Sequence, residues 1–158
     1  ESPYREEGGE PFYPHVIEPT WGVDRTVLAV LDSAYDDTND DRVVLHLKPA
    51  LAPYKAAVFP LLKNKPELVK KAREVYSLLT TTYSLGMIAW DDRGNIGKRY
   101  YSQDEIGTPV CITIDFETLG EGEDASQKDT VTVRDRDSGK QERVKIEELS
   151  SYISDKIK

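Results

Sequence analysis

Cysteine occurs once in the 158 residues, at Cys111, so no disulfide can close within the chain. His15 and His46 are the only histidines, which puts a cysteine-rich zinc site out of reach, and the sequence presents no metal ligands. Cys111 lies in the apolar run Val110 to Ile114 and reads as a small buried hydrophobe rather than a nucleophile. A reducing, cytoplasmic setting fits. No stretch approaches the ~20 apolar residues of a bilayer helix, mean hydropathy is -0.57, and no basic-then-apolar leader is present; no membrane association is expected. Hydrophobic residues at 38% are lean but sufficient for a packed core, against wholesale disorder.

Basic residues are also short: 21 Lys and Arg against 29 Asp and Glu give a net charge of -8. Taken whole, that argues against nucleic acid. The distribution is uneven, however. Residues 1–41 sum to -9, 42–100 to +7, 101–127 to -7 and 128–158 to +1. A local field, not the total, attracts a phosphate backbone, so the +7 segment keeps a polyanion partner open.

Residues 1–14 are rich in Pro, Gly and Glu, show no hydrophobic period and lack an initiator methionine; the expectation is a piece of a longer polypeptide entering mid-domain. His15 to Glu18 reads as a short strand ending at Pro19. Val23 to Tyr35 has helical spacing, with Asp24 in the first turn. Asp36 to Asp41 reads as a solvated acidic loop, and Arg42 to Leu47 as a strand. Beyond Pro49 and Pro53, Ala56 to Leu62 reads as a buried strand with Pro60 at its end or on an edge. A helix follows, capped by Asn64 with Glu67 three residues on, burying Leu68, Ala72, Val75, Tyr76 and Leu79. Lys70, Lys71 and Arg73 fall outside that stripe and read as a solvated face. Gly86 to Trp90 is a strand, 91–95 a turn, 96–106 a short polar helix, and Val110 to Phe116 a strand covered on both faces. After an acidic loop at 121–129, Thr130 to Arg134 and Glu142 to Ile146 form a hairpin. A closing helix buries Ile146, Leu149, Ile153 and Ile157. This order predicts an α/β domain with a mixed sheet of about five strands flanked by about three helices.

The segment Glu18-Pro19-Thr20-Trp21-Gly22-Val23-Asp24-Arg25 places a carboxylate at a strand end, a glycine, and an arginine on the first turn of a helix. That set suits an ammonium plus a phosphate. A strand, turn and helix joined by a surface ion pair is the plain alternative.

His15 to Thr26, HVIEPTWGVDRT, resembles the third class-defining motif of class II aminoacyl-tRNA synthetases, and specifically of the homodimeric glycyl-tRNA synthetase family. Leu45 to Leu62, LHLKPALAPYKAAVFPLL, is similar to that family's crossing into its anticodon-binding domain. DDRGNIGKRYYSQDEIGTP at 91–109 and TVRDRDS at 132–138 are similar to runs within that domain. The resemblance implies a remnant of the catalytic domain over 1–50, with the third motif at 15–26, and an anticodon-binding domain over 51–158. It implies a glycine site at Glu18, Thr20, Trp21 and Gly22, with Glu18 on the amino group. It implies ATP contacts from Gly22, Val23, Asp24 and Arg25, with Arg25 on phosphate. Thr20 stands where the family usually has serine, and Trp21 where phenylalanine is more usual.

For the anticodon, the resemblance and the residue chemistry point to Lys98, Arg99, Tyr100, Asp104, Glu105, Arg134 and Arg136. Cations and aromatic faces suit unstacked loop bases, and carboxylates accept from cytosine amino groups, as a glycine anticodon requires. Where this chain has Tyr101 and Ser102 the family is often more basic. Two plain alternatives stand: Asp104 and Glu105 as helix caps, and Arg134 to Asp137 as a cross-strand charge ladder.

The resulting expectation is part of a glycine-tRNA ligase, which joins glycine to ATP as glycyl-adenylate and passes it to the 3′ end of glycine tRNA. The implied partners are tRNA, glycine and ATP as substrate, with Mg2+ and a homodimer in the full-length enzyme. The first and second motifs are absent from these residues, so the chain alone is expected to be inactive. The alternatives are a prolyl, threonyl or histidyl synthetase, or a non-catalytic RNA-binding module of the anticodon-domain type.

Overall fold

In the computed structural model residues 3–39, 42–81, 86–122 and 124–157 are described. Helix α1 spans Val23–Ala34. Gly22 is its N-cap, and its carbonyl accepts both the amide and the hydroxyl of Thr26, each at 3.0 Å. The residues before it, 3–22, are exposed and hold no regular element beyond a bridge between Tyr4 and Phe12. The expected strand at His15 to Glu18 is therefore not formed: its alternation has no neighbouring strand to pair with.

At Tyr35 the backbone turns extended (φ -75, ψ 126) and enters β1, Tyr35–Asn39, which pairs antiparallel with β2, Arg42–Leu45. The acidic stretch thus forms a strand rather than a loop over 36–39; Asp40 and Asp41 lie outside the described residues. Asp36 is tolerable in a strand because it accepts the amide and hydroxyl of Thr38 at 3.0 and 2.7 Å.

The main sheet is built from β3 (Ala56–Pro60), β4 (Ile88–Trp90), β5 (Val110–Ile114), β6 (Thr130–Asp135) and β7 (Gln141–Lys145), in the order β4-β3-β5-β6-β7. The β4-β3-β5 part is parallel; β6 and β7 run antiparallel. Pro60 closes β3, where its missing N–H disrupts no ladder. From β3 the chain moves outward to β4 through α2 (Pro66–Thr80), then back past β3 to β5 through α3 (Ile96–Glu105). Right-handed crossovers in opposite directions put these helices on opposite faces.

One face is sealed by Leu68, Ala72, Val75 and Leu79 of α2 with Leu149 and Ile153 of α5 (Leu149–Ile157), against Val58, Ile112, Ile114, Val131 and Val133. On the other face, Ala57, Phe59, Ala89 and Cys111 meet Ile96 and Tyr100 of α3. Cys111 is buried as expected, and burial pushes its thiol far up from the usual range. The cap of α2 is Lys65, whose side chain makes no capping bond, with Pro66 at the first turn; Asn64 does not cap it. The strand expected from Gly86 spans only Ile88–Trp90, with 82–85 outside the described residues. The loop at 121–129 carries a 3-10 turn at Ala125–Gln127.

Candidate nucleic-acid interface

Because α2 and α3 leave the sheet on opposite faces, the loops following β3 and β4 diverge. In an open α/β sheet that divergence leaves a crevice at the carboxyl ends of the strands. Here it is a groove of about 460 Å³ lined by Leu61, Leu62, Lys63, Asn64, Gly94, Asn95, Ile96 and Arg99. Asn95 caps α3 by accepting the amide of Lys98 at 2.9 Å, and the Lys98 stem runs beside Gly94. Arg99 is 2% exposed. Its guanidinium donates to the carbonyls of Pro60, Arg93 and Gly94, fixing the loop after β4 to the end of β3. Burial lowers its pKa. Lys63 and Asn95 carry no signal of their own in the sequence and Asn64 reads there only as a helix cap; the signal available is the β-α-β-α-β order itself, which forecasts where the loops part.

Asp104 sits on the inner side of α3 with no exposed surface. Arg42 donates to it from Nε at 2.8 Å, and Arg134 from both terminal nitrogens at 2.9 and 3.1 Å. The Arg134 guanidinium also lies 4.9 Å from the Tyr100 ring centre, and the Tyr100 hydroxyl meets Thr113 Oγ1 at 2.7 Å. Arg136, 2% exposed, donates to Gly107 and Leu47 carbonyls and to the Asp137 carboxylate. Gly107 permits this close dock of β2 and its extension: at φ +80, a Cβ there would come 3.0 Å from Leu45 O.

Of the seven residues expected at the anticodon, Lys98 and Glu105 are exposed and Tyr100 is half-buried, whereas Arg99, Asp104, Arg134 and Arg136 are buried among internal partners. Asp104, Arg134 and Tyr100 come together in one cluster, while Lys98 and Arg99 sit at the groove. Arg134 lies across from Cys111 and Gln141, so its charge partner is a helix residue and not a cross-strand ladder. Glu18, Thr20, Trp21, Gly22, Val23, Asp24 and Arg25 form one exposed run leading into α1; among the described residues neither Glu18 nor Arg25 makes an ion pair.

The eleven cations of the +7 segment divide into two sets, apart from Arg73, which lies over the Trp90 ring. Arg42, Lys55, Lys71, Arg93 and Arg99 are engaged by carboxylates or carbonyls. Lys48, Lys63, Lys65, Lys70 and Lys98 are exposed and make no ion pair among the described residues. Lys63 lines the groove, Lys98 borders it, and Lys65 stands at the adjoining start of α2.

The family model for the anticodon binding domain matches residues 55–156, which hold the mixed sheet and the basic-rimmed groove at its strand ends. The chain belongs to that family. It is 49% identical to a protein named glycine–tRNA ligase from Deinococcus radiodurans, over 96% of this chain and 31% of the relative. It is 45% identical to the protein of that name from Thermus thermophilus, over 98% and 32%. With the one from Clostridium acetobutylicum it shares 50%, over 94% and 30%. The chain thus spans less than a third of the length of these relatives. Among the described residues no helix is long and apolar enough to cross a membrane.

Proposed function

We propose that this chain is the anticodon-recognising part of a glycine-tRNA ligase and that the groove between the loops after β3 and β4 receives the anticodon bases of glycine tRNA. The observation that carries the reading is the gathering around that groove of Lys63, Lys65 and Lys98, exposed lysines that make no ion pair among the described residues. Lys63 and Lys98 neutralise phosphate, Asn64 and Asn95 offer amide groups to base edges, and exposed Glu105 accepts from amino groups. Arg99, Asp104, Arg134 and Arg136 act as positioning residues: they hold the loop after β4 and the face of α3 that the RNA meets.

The same reading assigns the exposed run Glu18 to Arg25 to the glycine and ATP pocket of the whole enzyme, with Glu18 on the amino group and Arg25 on phosphate. The partners are then glycine, ATP and a second copy of the enzyme, in the cytoplasm. Among the described residues no group of three or more His, Cys, Asp or Glu is placed to hold a metal ion.

Filter binding of glycine tRNA transcripts, with the anticodon cytosines intact or replaced, tests the reading. The intact transcript should bind at least about fivefold more tightly, since a lost base-edge contact costs roughly 1–3 kcal/mol. Lys98→Ala should lower the slope of affinity against salt by about one unit. Equal binding of the two transcripts would overturn the anticodon assignment.

A further inference from the structure

We infer that Arg73 and Trp90, at the free edge of the sheet, form a second RNA contact that takes a phosphate and an unpaired base of the same tRNA outside the anticodon groove; this rests on the tRNA reading above. The Arg73 guanidinium carbon lies 3.6 Å from the centre of the Trp90 ring. Trp90 is itself fixed, edge-on to Tyr76 at 5.8 Å and donating from Nε1 to Asp92 at 3.3 Å. Arg42, Arg93, Arg134, Arg136 and Arg143 each hold a carboxylate. Arg73 is exposed and, among the described residues, makes neither a hydrogen bond nor an ion pair.

A guanidinium parked on an indole keeps its fork of donors in one place without spending them, which suits bidentate binding of a phosphate. The carboxylates that follow Trp90 are engaged elsewhere: Asp91 is bound by Arg93, and Asp92 accepts from Trp90, while Glu74, next to Arg73, is exposed. Beside the pair, a groove of about 470 Å³ is lined by Tyr54, Tyr76, Trp90, Arg93 and Gln103, among others. Aromatic walls of this kind stack bases without regard to sequence. Lys70, three residues before Arg73, falls on the same face of α2 and extends the positive field towards Lys65 and Lys63. A pairing peptide strand is the less suitable occupant, because β4 offers an edge of only three residues.

Trp21 and Trp90 are the only tryptophans, which supplies the readout. Titration of the whole chain with an anticodon stem-loop RNA should quench emission, and the quench should vanish in Trp90→Tyr while filter binding persists. Arg73→Gln should weaken binding about fivefold or more and reduce the salt slope by about one, with Arg73→Lys restoring the slope but not the full affinity. Thermal melts of the variants separate these effects from misfolding; Arg73 is exposed, so its variants should melt with the parent. If the RNA binds in a cytosine-dependent way but Arg73→Gln leaves affinity, slope and emission unchanged, this platform is overturned and the anticodon reading stands. If the parent chain binds no RNA, both are overturned.

Discussion

Asp104 shows how much a single residue's role depends on partners that are distant in sequence. A carboxylate in a polar helix beside tyrosines reads as a base-edge acceptor. In the fold it is enclosed by Arg42, 62 positions earlier, and Arg134, 30 positions later. Arginine is seldom fully buried, so nothing local in RYYSQDE or TVRDRDS announces that these charges face each other across α3 and β6. Removing one partner of a buried ion pair typically costs about 3–5 kcal/mol, because the remaining charge is left uncompensated. Asp104→Ala strands the 8%-exposed Arg134 side chain in this way and frees the 22%-exposed Arg42. Urea unfolding should show a loss of that order, against a change within about 0.5 kcal/mol for exposed Glu105→Gln. Similar midpoints for the two variants would refute the structural role given to Asp104.

At the level of elements, the alternation of apolar runs and amphipathic stretches from Ala56 onward was enough to forecast the sheet and its helices, because each is patterned by its own burial. What remained hidden was pairing that charge disguises. The β1–β2 hairpin was obscured by Asp36 and Asp37; Asp36 is held by Thr38 and by His46, the latter reaching Asp36 at 3.3 Å and Asp137 at 2.6 Å. The short helix α4, Phe116–Leu119, is likewise organised by one carboxylate. Asp115 accepts from Thr118 in a capping box and also from Thr132 and Arg143, which lie on β6 and β7. Burial pushes its pKa up, but those hydrogen bonds outweigh burial and hold it below the ordinary 3.8. A carboxyl depressed in the folded state stabilises above its unfolded pKa, and that contribution is lost as pH falls through the folded value. Stability should therefore drop as the pH is taken from about 5 towards about 2, and the drop should be shallower in Asp115→Asn. Parallel acid titrations followed by far-UV circular dichroism would decide, and identical curves would remove Asp115 from the account.

Across the whole molecule, the net charge of -8 concealed a division of labour. Five of the +7 segment's eleven cations are consumed in holding the fold, and Lys63, Lys65 and Lys98 gather where the loops part. The N-terminal part has the opposite character: Val16, Ile17, Trp21, Val23, Val27 and Leu28 are all more than half exposed. The third-motif resemblance was readable there because a motif is local, whereas the walls of a pocket are not. On the proposed assignment of Glu18 to Arg25, a reaction that depends on positioning several groups around ATP has only one side of its site in these residues. Pyrophosphate exchange with glycine and ATP should accordingly be undetectable for the 158-residue chain, and measurable adenylate formation would contradict this account of the N-terminal part.

The passage from Ala34 directly into β1 has a mechanical consequence. No slack chain separates helix from hairpin, the His46 amide ties back to the Ala34 carbonyl, and Arg42 bolts the hairpin to Asp104 of α3. Helix α1 is therefore a rod clamped at one end, and its 12 residues give it a length of about 18 Å. A tilt of about 5° at the clamp would swing the far end, where Arg25 sits, by about 1.6 Å at that length. If Arg25 contacts phosphate as proposed, a shift of that size at the far end matters for the chemistry, because displacements of about 1 Å are enough to change a reaction rate a hundredfold.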